Sequence, residues 1–136
     1  MQITSTLLYY AQAVDPTMHV ALRTIASQQA KATKETAAKT THLLADYAAT
    51  HPDVTLQYQA SDMILKQHSD ALYLSEDKTR SRHAGFFYLN NVDADTIEEN
   101  NSALLVTSTI MPNLVSSVAE AECGSLFDAC KKGVPI

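Results

Sequence analysis

The hydrophobic period of this chain changes twice, and that limits the folds open to it. Through residue 50 the apolar residues recur three and four apart: Leu7, Leu8 and Ala11, then Met18, Leu22, Ile25 and Ala26, then Ala37, Leu44, Tyr47 and Ala48. Such spacing lines one face of a helix. At His51-Pro52-Asp53 the pattern stops, because proline cannot continue a helix and restricts the residue before it. Beyond it the period falls to two. Val54, Leu56 and Tyr58 alternate with Thr55 and Gln57, as in a half-buried strand. The helical period returns only after Ser117. Helices, then a run of strands, then one helix is an α+β order. The expected organisation is a helical segment over residues 1–53 and a mixed segment over 54–136.

The first segment holds three expected helices, over residues 3–13, 15 to about 29, and about 36–50. Asp15-Pro16 starts the second, with Asp15 as N-cap and Pro16 at the first helical position, where its missing N–H is harmless. In the second segment, strands are expected over 54–58, 63–71, 85–89 and 103–111. Residues 75–82, with Lys78, Arg80 and Arg82, read as a solvated basic loop. The acidic stretch containing Asp93, Asp95, Glu98 and Glu99 lacks the glycine and spacing of a calcium loop.

The closing helix has the clearest start. Ser117 is a natural N-cap and Glu120 stands three residues later, a capping-box spacing; such a cap contributes ~1 kcal/mol. Ala119, Cys123, Leu126, Phe127 and Cys130 make the expected buried stripe. Lys131, Lys132, Gly133 and Pro135 suit the other end. The cap accounts for Glu120. Glu122 lies beside the stripe, where a carboxylate calls for a metal or a cation. Asp70, at the end of the 63–71 strand, is the matching acid. A strand acid facing a helix acid is one way to hold magnesium, which takes hard oxygen ligands.

Composition excludes several classes. The 136 residues suffice for a sizeable core, and 46% hydrophobic with 18% charged residues is ordinary for a globular chain. A net charge of −5 is no electrostatic footprint for nucleic acid. Cys123 and Cys130 sit two helical turns apart, ~10 Å, too far for a disulfide, and read as buried apolar residues in a reducing compartment. No apolar run approaches the ~20 residues of a membrane helix. The first residues lack a basic signal-peptide region, so an intracellular location is expected.

Several stretches together resemble the ribonuclease H-like domain, with its preceding connection segment, of copia-type retrotransposon reverse transcriptase polyproteins. They are Ser69-Asp70-Ala71 on a first strand, Arg80 or Arg82 ahead of Gly85-Phe86 on a second, and a third strand running into Ser116 to Glu122. Earlier, Tyr9 to Pro16 and Leu43-Leu44-Ala45-Asp46-Tyr47 are similar to the segment between polymerase and nuclease. The resemblance implies a ribonuclease H-like core of antiparallel strands plus a helix, preceded by three helices. It implies magnesium as cofactor and hydrolysis of the RNA strand of RNA–DNA hybrids by two ions ~4 Å apart. Asp70 and Glu122 map onto the family's first-strand Asp and helix Glu, the expected catalytic and metal-binding pair. Cys123 stands where many relatives carry an aromatic residue. The family's later strand and helix, which bring a third and a fourth acid, have no counterpart before Ile136. A truncated, inactive domain is therefore expected, or a noncatalytic remnant of a retroelement protein. A free edge beside the first strand makes a homo-oligomer the expected state. His68 and His83 read as solvated or packed histidines rather than metal ligands.

Overall fold

The computed structural model describes residues 2–28, 33–93 and 101–136. It has an α+β fold in two compact units, Met1–Leu56 and Gln57–Ile136.

The first unit contains α1 (Gln2–Ala13), a 3-10 turn (Pro16–Met18), α2 (His19–Gln28) and α3 (Lys34–Thr50). Asp15 caps the turn as its sequence suggests: its carboxylate accepts the Thr17 N–H at 3.1 Å and the Thr17 hydroxyl. These bonds let an acid lie buried at low cost. Ala11, Met18, Leu22 and Leu44 form the core, and Leu7, Leu8, Ile25, Tyr47 and Ala48 lean on it. The amphipathic stripes of the three helices thus meet each other.

The second unit is a three-stranded antiparallel sheet, β1 (Ile64–Glu76), β2 (Arg80–Asn90) and β3 (Leu105–Ile110), in that spatial order, followed by α4 (Val118–Gly133). Phe87 is its largest fully buried side chain. Gly85 makes room for it: a Cβ there would come within 3.0 Å of both the Phe87 ring and the Thr107 hydroxyl.

Three expectations are corrected here. Residues 54–58 form no strand. Side chains take the place of a ladder: Gln57 N–H donates to Ser102 Oγ (2.8 Å), and Gln59 N–H donates to Asn101 Oδ1 (2.6 Å) while Asn101 Nδ2 donates back to Gln59 O (3.1 Å). Residues 75–82 are no solvated loop either, since β1 and β2 run on to a tight turn with Lys78 (φ 61°) and Thr79 (φ 55°) in the left-handed region. That geometry matches the right-handed strand twist. The register shifts between Leu72 and Glu76, a bulge at which Leu74 (φ 51°) donates its N–H to Ser81 Oγ. Arg82 is buried as a result, paired with Glu76 at 2.6 Å and donating to Ser108 Oγ at 3.2 Å.

The third correction concerns α4. Its buried face is Ala121, Ser125 and Ala129, while Leu126 is 52% and Phe127 69% exposed and both cysteines are exposed. Small side chains let the helix backbone approach the sheet closely, which a Phe-Leu-Cys face would prevent. The cap forms with one difference. Ser117 Oγ accepts the Glu120 N–H at 3.1 Å, but the Glu120 carboxylate reaches one residue further back, to Ser116 N–H and Oγ, both at 2.7 Å. The Ser116 backbone bond, then its hydroxyl, hold the Glu120 carboxyl below the usual carboxylate range. Of the acidic stretch, Asp93 is exposed, and Asp95, Glu98 and Glu99 lie outside the described residues.

Candidate functional site

Side chains alternate across a strand, so register assigns the two faces of the sheet. α4 lies over the odd-numbered residues of β1. Gln67 Nε2 donates to Cys130 Sγ at 3.1 Å, and Gly133 is nearest Gln67, Phe87 and Leu65. Gln67 and Leu65 pair with Phe87 and Leu89 of β2 in unbroken register. The even-numbered residues therefore leave the sheet on the other face. There His68 bonds the Tyr88 hydroxyl at 2.9 Å and stacks on its ring.

Asp70 belongs to this second face. Its side chain is exposed, and its residue pairs with Ala84. Its backbone, however, is held by α4: Ser125 Oγ donates to Asp70 O at 2.7 Å and lies 3.4 Å from Ala84 O. Glu122 precedes Ser125 by three residues and is exposed. It shares a helix flank with Leu126 and Cys130, four and eight positions on. Cys130 touches Gln67 of β1, whereas Asp128, on the opposite flank, reaches His83 of β2. Glu122 is accordingly on the flank turned toward β1, the edge strand of the sheet. The expected facing pair is not formed: Glu122 lies on the α4 side of β1, while the Asp70 side chain leaves the strand on the other face.

A second polar cluster escaped sequence reasoning. His83 is buried on the α4 side of β2, with Nε2 2.6 Å from Thr109 Oγ1 and 3.4 Å from Asp128 Oδ2. Burial first, then the Lys132 and Arg82 charges, push its pKa below the usual histidine value; Asp128 works against them. The imidazole is neutral at neutral pH and serves as a packed hydrogen-bonding group. It borders a cavity of about 700 Å³ that Leu105, Ile110, Pro112 and Lys132 also line. Its three members lie far apart in sequence, and only the β2–β3 register and the docking of α4 join them. On the face away from α4, the buried Arg82 Nη2 atom has no hydrogen-bond partner among the described residues.

No family model, no curated protein and no solved structure matches this chain. The donor set itself must therefore be weighed against magnesium. Carboxylate oxygens suit the ion, and both acids are exposed. Two carboxylates, one on α4 and one on the far face of the edge strand, nevertheless fall short of the oxygen-rich cradle that two closely spaced ions require. Among the described residues, no three His, Cys, Asp or Glu side chains form a metal-binding group. No described helix is long and apolar enough to cross a membrane.

Proposed function

We propose that residues 57–136 form a ribonuclease H-like domain of the kind carried by copia-type retrotransposon reverse transcriptases, one that does not hydrolyse RNA–DNA hybrids by itself. The observation that carries this is the Ser125–Asp70 contact. It docks a helix bearing Glu122 on the point of the first strand that bears Asp70, within an antiparallel β1-β2-β3-α4 order. The family's chemistry is magnesium-dependent hydrolysis of the RNA strand. Here Asp70 and Glu122 would hold at most one ion, weakly, and no hydrolytic step is routed through it. The net charge of −5 lowers hybrid affinity further, because few counterions are released on binding. A noncatalytic, oligomerising remnant of a retroelement protein is the second reading. It is favoured by the departure of the Asp70 side chain from the face opposite α4.

A labelled-hybrid cleavage assay with magnesium and manganese, run beside a magnesium titration of the parent and Asp70→Asn, separates these outcomes. No turnover is expected. Weak magnesium binding should disappear in Asp70→Asn without loss of fold. Robust magnesium-dependent turnover that Asp70→Asn abolishes would overturn the inactive assignment. Absence of any preference for hybrid over duplex DNA of the same sequence would favour the remnant.

A further inference from the structure

The apolar stripe of α4 turns away from the sheet. Ala119, Cys123, Leu126, Phe127, Cys130 and Val134 recur three and four apart on the side of the helix not used by Ala121, Ser125 and Ala129, and all six are exposed. A continuous stripe of this length marks an interaction site, unlike apolar residues scattered singly over a surface. It matches itself when two copies run antiparallel. With a two-fold axis between Leu126 and Phe127, the Phe127 of one copy meets the Leu126 of the other, Cys123 meets Cys130, and Ala119 meets Val134. Charge selects that register. Glu120 and Lys131 stand on one flank of the stripe, and the two-fold axis brings like flanks together. Each Lys131 then lies ~3 Å along the helix axis from the Glu120 of the other copy, within reach of its side chain. Moving the axis to between Asp128 and Ala129 keeps the stripe in contact but separates the same charges by ~9 Å.

We propose that α4 packs antiparallel on α4 of a second copy of this chain, about a two-fold axis between Leu126 and Phe127, with Cys123 of each protomer against Cys130 of its partner. Phe127, the large aromatic side chain nearest the axis, is the anchor of the contact. An isologous contact of this kind needs one self-matching surface and closes at two copies. The groups it uses are available. Lys131 has no hydrogen bond or ion pair among the described residues. Glu120 is ionised, and both bonds of its carboxylate to Ser116 end on Oε2. Cys130 accepts a bond from Gln67 Nε2 at 3.1 Å and remains exposed. The pairing does not depend on the nuclease assignment, since neither Asp70 nor the sheet-facing side of α4 takes part.

The test has two arms, both on the 136-residue chain. In sedimentation velocity across a concentration series, under reducing conditions, the parent is expected to dimerise. Phe127→Glu should raise the dimer dissociation constant about a hundredfold and Lys131→Glu about fivefold. Far-UV circular dichroism checks that each variant is folded, which the exposure of both side chains favours. The second arm reads the register. Cys123 and Cys130 of one chain stand ~10 Å apart, too far to bond each other, so a disulfide must join two copies. Diamide takes up the two electrons and two protons that the thiols lose. It should convert the parent to a covalent dimer, and should leave Cys123→Ser alone and Cys130→Ser alone uncross-linked. An equimolar mixture of the two variants should cross-link, because each supplies the cysteine that the other lacks. A monomeric parent, a dimer indifferent to Phe127→Glu, or a single cysteine variant that cross-links as readily as the mixture would each overturn the proposal. Loss of magnesium binding or of hybrid binding would leave it standing.

Discussion

The helical unit and the sheet unit of this chain are held together by different means. In Met1–Leu56 the buried centre is mainly apolar contact between three amphipathic helices, with Ala11, Met18, Leu22 and Leu44 at its middle and Asp15 and His19 the buried polar residues among those described. In Gln57–Ile136, Arg82, His83, Asn90, Asn101, Ser108 and Ser125 are buried alongside Phe87, Tyr88, Met111, Ala121 and Ala129. Apolar packing asks mainly for the right volume and pattern, and many sequences supply it. A buried polar group asks for a particular partner atom in a particular place, and loses much of its contribution when that atom is removed. The sheet unit is therefore the more specified half of the molecule and the one in which a single side chain matters most.

The sharpest test of that contrast is a pair of truncations. Phe87→Ala should cost about 3–5 kcal/mol and Leu22→Ala about 2–5 kcal/mol. Urea unfolding followed by far-UV circular dichroism should show Phe87→Ala losing the sheet transition while the helical one persists, and Leu22→Ala the reverse. Both transitions moving together in either variant would break the division into two separately held units.

Next in size is the Glu76–Arg82 pair. Glu76→Gln leaves a guanidinium with 6% side-chain exposure without its charge partner. The expected loss is about 2 kcal/mol, less than for a fully enclosed pair because Glu76 is itself 20% exposed. A loss under about 0.5 kcal/mol would mean that Arg82 swings out to water, where such pairs contribute little.

The smallest expected effect is a pH dependence. The native pKa of His83 lies below its ordinary value, so on acidification the unfolded chain takes up the proton first. Stability is then lost as pH falls through the ordinary histidine range near 6.5 and is unaffected above it. Thermal unfolding of the parent between about pH 7.5 and 5 should show this decline, and His83→Gln should flatten it. His19, in the helical unit, is also lowered by burial, and by Arg23. A slope that survives His83→Gln would transfer the effect to that unit.

How legible each part was in the sequence follows from the range of the interactions that made it. The Asp15-Pro16 start and the Ser117 cap were readable because their bonds close within three residues. The helical stripes were readable because each unit-one helix has one apolar face. The α+β order followed from the change of period. Asp70 and Glu122 could be singled out by residue type and setting, but their separation onto opposite sides of β1 could not. That depends on which parity of β1 lies under α4. The buried face of α4 runs against hydrophobicity: Phe127 and Leu126 outweigh Ala121, Ser125 and Ala129, yet the sheet accepts the smaller residues, which permit contact between Ser125 and the Asp70 carbonyl.

Local sequence alone thus determined where helices begin, where the period changes and which residues can ionise. Tertiary structure decided the rest. It extended β1 and β2 to a turn that buries Arg82, replaced the 54–58 strand by side-chain bonds from Ser102 and Asn101, and gathered His83, Thr109 and Asp128. These outcomes rest on contacts between residues tens of positions apart. Their free energy depends on how closely two surfaces fit, a quantity that no stretch of residues carries by itself.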